Sequence, residues 1–270
     1  MIRNVLSIAG SDPSGGAGIQ ADLKAFSARG VYGMAALTAL TAQNTLGVTG
    51  VHLVPPHFVA QQIKAVFADV RVDAVKIGMI ANAGIAEAVA EALAPHRGIP
   101  IVVDPVMIAK GGAALLDPQA VDALTRHLLP LATLLTPNLP EAAALLHEEV
   151  AENRKQMASQ AERLRALGPA VVLVKGGHLE SDESPDVLSI ASGLHWFEAK
   201  RVPTKNTHGT GCTLSSALAA ELAKGVSPQM AVATAKAYLA QAVAAADELT
   251  VGSGHGPVHH FHALWKDAGL

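Results

Sequence analysis

The chain has a single cysteine among its 270 residues, Cys212. An internal disulfide is therefore excluded, and a zinc site would have to rest on histidines or carboxylates, as fits a reducing cytoplasm. A surplus of positive charge is also missing: 20 Lys and Arg stand against 23 Asp and Glu, a formal net charge of −3. That argues against a broad nucleic-acid or anionic-membrane surface. Charges and prolines break every apolar run before it reaches membrane-spanning length. The opening apolar segment, residues 2–9, is too short and interrupted for a signal peptide. No internal repeat, low-complexity tract or linker is visible, so one domain over residues 1–270 is expected.

What is present is a composition for a large core: half the residues are hydrophobic and 16% are charged. Short β-rich runs alternate with helical ones. Strands are expected at 5–9, 31–42, 51–54, 74–77, 101–103, 133–136 and 170–174, with a hairpin at 187–199 turning at Ser192-Gly193. Helices are expected at 16–28, where Ile19, Leu23 and Phe26 share a side, and at 56–70, where Pro56 suits a first turn. Further helices are expected at 85–93, 118–128, 139–146, 154–167, 213–224 and 228–249, and the polar stretch 148–156 reads as a surface loop. Repeated β-then-α units imply an α/β fold with a mainly parallel sheet covered on both faces. Ligands of such sheets gather at the carboxyl ends of the strands. The turns at Gly10, Met79, Asp104–Val106, Asn138 and Lys175 are therefore expected to line one crevice.

Residues 206–214 carry the strongest chemical signal. Gly209, Thr210, Gly211 and Cys212 lead into a helix, where unpaired backbone N–H groups and the helix dipole make an anion site. The same field is expected to favour a thiolate at Cys212, so one turn offers an oxyanion cradle and a candidate base. Gly16-Ala17-Gly18-Ile19-Gln20-Ala21 formally matches a dinucleotide fingerprint, but residues 36–42 contain no acid to hold a ribose. No G-x-x-x-x-G-K-[ST] loop occurs either. What remains is a glycine turn that brings backbone close to a ligand, with Asp12 and Asp22 nearby, or a plain strand-to-helix turn.

Several residues admit two readings. Lys175 ends a Val/Leu run and suits either a phosphate clamp or a solvated strand end. Asn138 and Glu141 are spaced for oxygen ligation of Mg²⁺, or for a capping box. Gln43 offers an amide donor and acceptor that match an adjacent amine and ring nitrogen. Met79 and Val106 suit the sandwiching of a flat ring, or ordinary core. His259 and His260 are adjacent, which points to buried or interface histidines rather than a metal site.

Together these stretches resemble a known family. Residues 8–22 (IAGSDPSGGAGIQAD), 41–45 (TAQNT), 76–79 (KIGM), 104–107 (DPVM), 136–142 (TPNLPEA), 174–178 (VKGGH), 206–213 (NTHGTGCT) and 256–261 (GPVHHF) match collinearly. They resemble the hydroxymethylpyrimidine/phosphomethylpyrimidine kinases of thiamine biosynthesis, within the ribokinase-like fold. The resemblance implies a three-layer α/β/α sandwich, ATP and Mg²⁺, and two successive phosphorylations of 4-amino-5-hydroxymethyl-2-methylpyrimidine. It implies a substrate pocket of Gly10, Asp12, Ala17, Asp22, Gln43, Met79 and Val106. Phosphate and nucleotide contacts would fall to Asn138, Lys175, Thr207, Gly209, Thr210 and Gly211, and metal contacts to Asp104, Asn138 and Glu141. Cys212 stands where ribokinase-like sugar kinases place Asp. A homodimer is also implied. Pyridoxal kinase is the alternative within the enzyme class, and a non-catalytic precursor sensor the alternative outside it.

Overall fold

A computed structural model describes residues 1–107, 118–179 and 182–269. The strands, in chain order, are β1 (Asn4–Ala9), β2 (Tyr32–Leu37), β3 (Ala39–Asn44), β4 (Gly47–Leu53) and β5 (Ala74–Ile77). They continue with β6 (Ile101–Val103), β7 (Leu134–Leu135), β8 (Val171–Lys175), β9 (Asp186–Ile190) and β10 (Gly193–Phe197). The helices are α1 (Gly18–Ala28), α2 (Pro56–Asp69), α3 (Ala83–Leu93), α4 (Pro118–Ala123) and α5 (Leu139–Leu146). After these come α6 (Arg154–Arg165), α7 (Thr210–Ala223), α8 (Pro228–Ala244) and α9 (His262–Asp267).

Eight strands form one sheet in the order β10-β9-β8-β7-β6-β5-β1-β2. From β8 to β2 all pairs are parallel, and β9 and β10 add an antiparallel edge. The parallel strands are apolar on both faces because both are covered. Alternation along them feeds two cores. Leu6, Ile8, Val75, Ile77, Val103 and Val174 pack towards Val59, Ile63, Ile85, Val89 and Leu164 of α2, α3 and α6. Val5, Val102, Leu134 and Leu173 face Phe26, Leu214, Leu218 and Val232 of α1, α7 and α8. The result is the expected α/β/α layering.

Several segments differ from the sequence expectation. Residues 31–42 are not one strand. The chain leaves the sheet at buried Thr38, whose N–H donates to the Ala9 carbonyl and whose hydroxyl donates to the Met79 carbonyl at 2.7 Å. Beyond it, β3 pairs with β4 as a separate antiparallel hairpin. Its turn is held by Asn44 Oδ1, which accepts from the N–H groups of Leu46 and Gly47. Residues 154–156 belong to α6, capped by Asn153, so the helix expected from residue 154 forms and the loop reading holds only as far as Asn153. The helix expected over 118–128 changes to π geometry at Leu124–Leu128. Finally, α7 begins at Thr210, not at residue 213, with Gly209 as its N-cap. Gly211 and Cys212 therefore lie inside its first turn. Among the described residues no helix is long and apolar enough to cross a membrane.

Candidate active site

The turns after β1, β5, β6, β7 and β8 converge on a cavity of about 530 Å³, closed on one side by the start of α7. Gly10, Asp12, Ala17, Gln43, Met79 and Val106 all line it. Alternation along β3 leaves Leu40, Ala42 and Asn44 exposed, whereas Thr41 and Gln43 line the cavity.

The anion turn forms as its glycines require. Gly209 has φ +78°, and a Cβ there would lie 1.8 Å from the Gly16 carbonyl oxygen, so only glycine lets the two turns touch. The first-turn N–H groups of α7, those of Gly211 and Cys212 among them, have no intrahelical partner by construction. Both residues line the cavity.

Lys175 reaches the same place from β8. Its ammonium lies 2.9 Å from Asp104 Oδ1 and 3.8 Å from Glu141 Oε2. Burial works against this ammonium, but the two carboxylates overcome it and push the lysine up to about 12. Asp104 is held below the usual carboxylate range: burial opposes, but Lys175 and Lys76 prevail, helped by a hydrogen bond from Thr136. Glu141 goes the other way. Burial, reinforced by the neighbouring Asp104 charge, outweighs Lys175 and raises it to about 7.

Asn138 and Glu141 form the capping box in full. Asn138 Oδ1 accepts from the Glu141 N–H at 2.9 Å, and Glu141 Oε2 accepts from the Asn138 N–H at 2.8 Å. The cap does not exclude a ligand role, because each carboxylate or amide oxygen has further lone pairs. Both residues line the cavity beside Lys175.

Two expectations need correction. Asp22 is fully buried and does not reach the cavity. Its carboxylate accepts from Lys76 Nζ at 2.9 Å on both oxygens, from the Ser7 hydroxyl and from the Ser216 hydroxyl. It is a structural counter-ion one layer behind the site. Cys212 does not sit as a favoured thiolate either. Burial pushes its thiol up to about 11, helped by the Asp22 and Asp104 charges, and Lys76 and the Gly18 N–H offset only part of this. The helix field is real but local, whereas desolvation acts on the whole group. Alkylation of Cys212 by iodoacetamide in the ligand-free protein is therefore expected to accelerate about tenfold per pH unit from about pH 7 to about pH 10. A rate that levels off near neutral pH would instead reveal a thiolate there.

Lys76, His208 and Thr41 also line the cavity and were not anticipated as site residues. A lysine inside the otherwise apolar run Ala74-Val75-Lys76-Ile77 was the available signal for the first. The closing histidines are buried, and His260 Nε2 lies 2.9 Å from Thr213 Oγ1. Among the described residues, no group of three or more His, Cys, Asp or Glu side chains is arranged to hold a metal.

A second cavity, of about 560 Å³, opens on the other side of Lys175. Gly177, Lys200, Val202, Thr204 and Leu239 line it, and Asn138, Lys175, Thr207, Thr210 and Gly211 line both cavities. Gly209 lines only the first. Two cavities sharing an ammonium and a helix N-terminus suit the passage of an anionic group from one ligand to another.

The model of the family described as phosphomethylpyrimidine kinase matches residues 12–259. The hydroxymethylpyrimidine/phosphomethylpyrimidine kinase of Salmonella typhimurium is 56% identical, over 97% of this chain and 98% of its own length. Among solved structures, Bacillus subtilis pyridoxal kinase in its ADP complex superposes with a TM-score of 0.89 at 36% identity, covering 97% of this chain and 98% of that one. Staphylococcus aureus pyridoxal kinase in complex with AMP-PCP and pyridoxal also gives 0.89, at 34% identity over 98% and 95%.

Proposed function

We propose, since the chain belongs to the phosphomethylpyrimidine kinase family, that it transfers a phosphoryl group from ATP to 4-amino-5-hydroxymethyl-2-methylpyrimidine and then to the monophosphate. One domain over residues 1–270 carries both steps. The observation that carries this reading is the single cavity that joins Gln43 and Met79 to the Lys175 ammonium and the start of α7. Gln43 supplies the paired donor and acceptor that an aminopyrimidine edge needs, with Met79 and Val106 against the ring. Gly10, Asp12 and Ala17 complete the substrate wall. ATP occupies the second cavity, with its phosphates towards Asn138, Lys175, Thr207, Thr210 and Gly211.

Catalysis of this kind is mainly positioning and charge stabilisation. The hydroxymethyl oxygen attacks the γ-phosphorus, the bond to ADP breaks, and the hydroxyl proton passes to Cys212. A thiol held near 11 starts protonated, so it must first give that proton to solvent water, and the thiolate so formed takes the hydroxyl proton. In the second step the attacking phosphate oxygen is already anionic, with a second pKa of about 6, and needs no base. Lys175, Gly209 and the N–H groups of Gly211 and Cys212 hold the charge on the transferring group.

Mg²⁺ fits the donor set. Asp104 and Glu141 offer hard carboxylate oxygens on either side of Lys175, with Asn138 beside them. Mg²⁺ commonly takes only one or two protein carboxylates and draws its other ligands from phosphate and water. When bound, it would neutralise charge on the nucleotide phosphates. The Glu141 carboxyl, raised to about 7, would be held ionised by such a cation.

The exposed Leu40, Leu46, Val51 and Leu53 of the β3–β4 hairpin support a homodimer. Light scattering would then give about twice 27.7 kDa, and a monomeric mass would remove that part of the proposal. The single cysteine supports a cytoplasmic setting.

Pyridoxal is the second reading, favoured by the superposition on pyridoxal kinases. ADP release with Mg-ATP separates them, with hydroxymethylpyrimidine, its monophosphate and pyridoxal offered one at a time. Turnover of both pyrimidines well above pyridoxal is expected. Preference for pyridoxal would replace the pyrimidine reading, and silence with all three would leave a binding protein.

A further inference from the structure

Gln43 and three side chains near it form a chain of hydrogen bonds whose protons can be counted. Thr41 Oγ1 lies 2.7 Å from the Ser11 carbonyl and 3.2 Å from Gln43 Oε1. The hydroxyl has one proton, and the carbonyl can only accept, so that proton goes to Ser11. Thr41 therefore turns lone pairs towards Gln43. At the other end of the amide, Gln43 Nε2 lies 3.4 Å from His208 Nε2, which is also 2.8 Å from Asp12 Oδ2. Asp12 is an acceptor only. Burial works to raise its carboxyl, but hydrogen bonds from His208 and Ser14 hold it down to about 2. His208 Nε2 must therefore carry the proton, and it turns an N–H towards Gln43.

The two ends of the amide thus meet unlike neighbours, an acceptor at Thr41 and a donor at His208. Only one orientation satisfies both: the amide turned over by 180° from the placement above, which sets oxygen against oxygen and N–H against N–H. The NH₂ then lies on the Thr41 side and the C=O on the His208 side. The neighbours are themselves fixed. Asp12 also accepts from the Ala17 N–H and from the Ser14 N–H and hydroxyl. The His208 backbone N–H donates to Gly256, and its ring packs where a Cβ on Gly16 would stand 2.4 Å from Cδ2.

We propose that Thr41 and the Asp12–His208 pair lock the Gln43 carboxamide in this one orientation, and that the lock decides which pyrimidine edge the cavity accepts. Each end of the amide keeps one free group, an N–H on the Thr41 side and a carbonyl lone pair on the His208 side. A 4-aminopyrimidine edge presents a ring-nitrogen acceptor beside an amino donor and fits this order. A pyrimidin-4-one edge presents an N–H donor beside a carbonyl acceptor, which is the reverse. A freely turning carboxamide would serve both edges, and a locked one meets the second with two like groups. Thr41, Asp12 and His208 are then positioning residues that act through Gln43.

This rests on the pyrimidine-kinase reading, and the test separates the two. Rates with Mg-ATP are compared for 4-amino-5-hydroxymethyl-2-methylpyrimidine and for its 4-oxo counterpart, with unsubstituted protein and with Thr41→Val, Thr41→Ala and Thr41→Ser. The unsubstituted protein is expected to favour the amino compound in kcat/KM by at least about a hundredfold. Thr41→Val and Thr41→Ala should raise KM for the amino compound about tenfold, change kcat by less than about threefold, and narrow the preference. Thr41→Ser, which keeps the hydroxyl, should restore both. A near-equal rate for the two edges in the unsubstituted protein overturns the lock, and this comparison needs no variant to fold. So does a Thr41→Ser protein as impaired as Thr41→Val. Failure of the unsubstituted protein to phosphorylate the amino compound at all removes the kinase reading and the lock with it.

Discussion

Replacing Lys175 by Met is expected to lower kcat about a thousandfold while KM for the pyrimidine changes little. Among the described residues, Lys175 is the only lysine lining both cavities, and its ammonium lies within 4 Å of two carboxylates, at 2.9 Å and 3.8 Å. In the ligand-free protein it is bound to Asp104. When phosphates arrive they compete for the same ammonium, so its interaction grows as charge moves onto the transferring oxygens. Groups that act in this way cost about 10²–10³ in kcat when removed, and Lys175 also loses its place as counter-ion of Asp104. Steady-state kinetics with saturating Mg-ATP decide the matter. A fall of less than about tenfold would reduce Lys175 to a partner of Asp104. Since the side chain is pushed up to about 12, it stays charged through alkaline assays, and any loss of rate below about pH 10 must come from another group.

The second large effect concerns Lys76, which lines the first cavity, and Asp22 behind it. Lys76→Met is expected to destabilise the fold by about 3–5 kcal/mol, because it strands the Asp22 carboxylate in the interior. Both residues are fully buried, and the pair is closed by the Ser7 and Ser216 hydroxyls. For a chain of this size the loss corresponds to a melting temperature lower by roughly 10 °C. Lys76→Met combined with Asp22→Leu should recover most of it, since buried pairs are often replaceable by apolar groups of similar volume. Burial disfavours the Lys76 ammonium, but Asp22 outweighs it and raises the lysine above its ordinary value. The lysine's share of the pair's contribution is therefore complete below the unfolded pKa of about 10.4 and fades only as pH rises through the higher folded value. Thermal unfolding of the single and double variants at neutral pH tests this. An unchanged melting temperature in Lys76→Met would mean that Asp22 is satisfied by the serines alone.

What the sequence by itself determined is the α/β order, the family and most of the cavity wall. Continuous apolar strands such as β1, β5, β6 and β8 announce a sheet covered on both faces, and the residues that end them lie by necessity at one edge. Gly209 and Gly211 before an alanine-rich helix announce an anion site, because the required backbone conformation is local. Tertiary structure alone decided the rest. Whether residues 39–44 extend the main sheet or fold back on β4 depends on hydrogen-bond partners distant in the chain. Asp22 looked like a ligand contact until Ser7, Lys76 and Ser216 closed around it. Cys212 illustrates the same limit in energy. The helix start that lowers a thiol pKa can be read from nine residues, but the burial that raises it to about 11 comes from the whole fold around it.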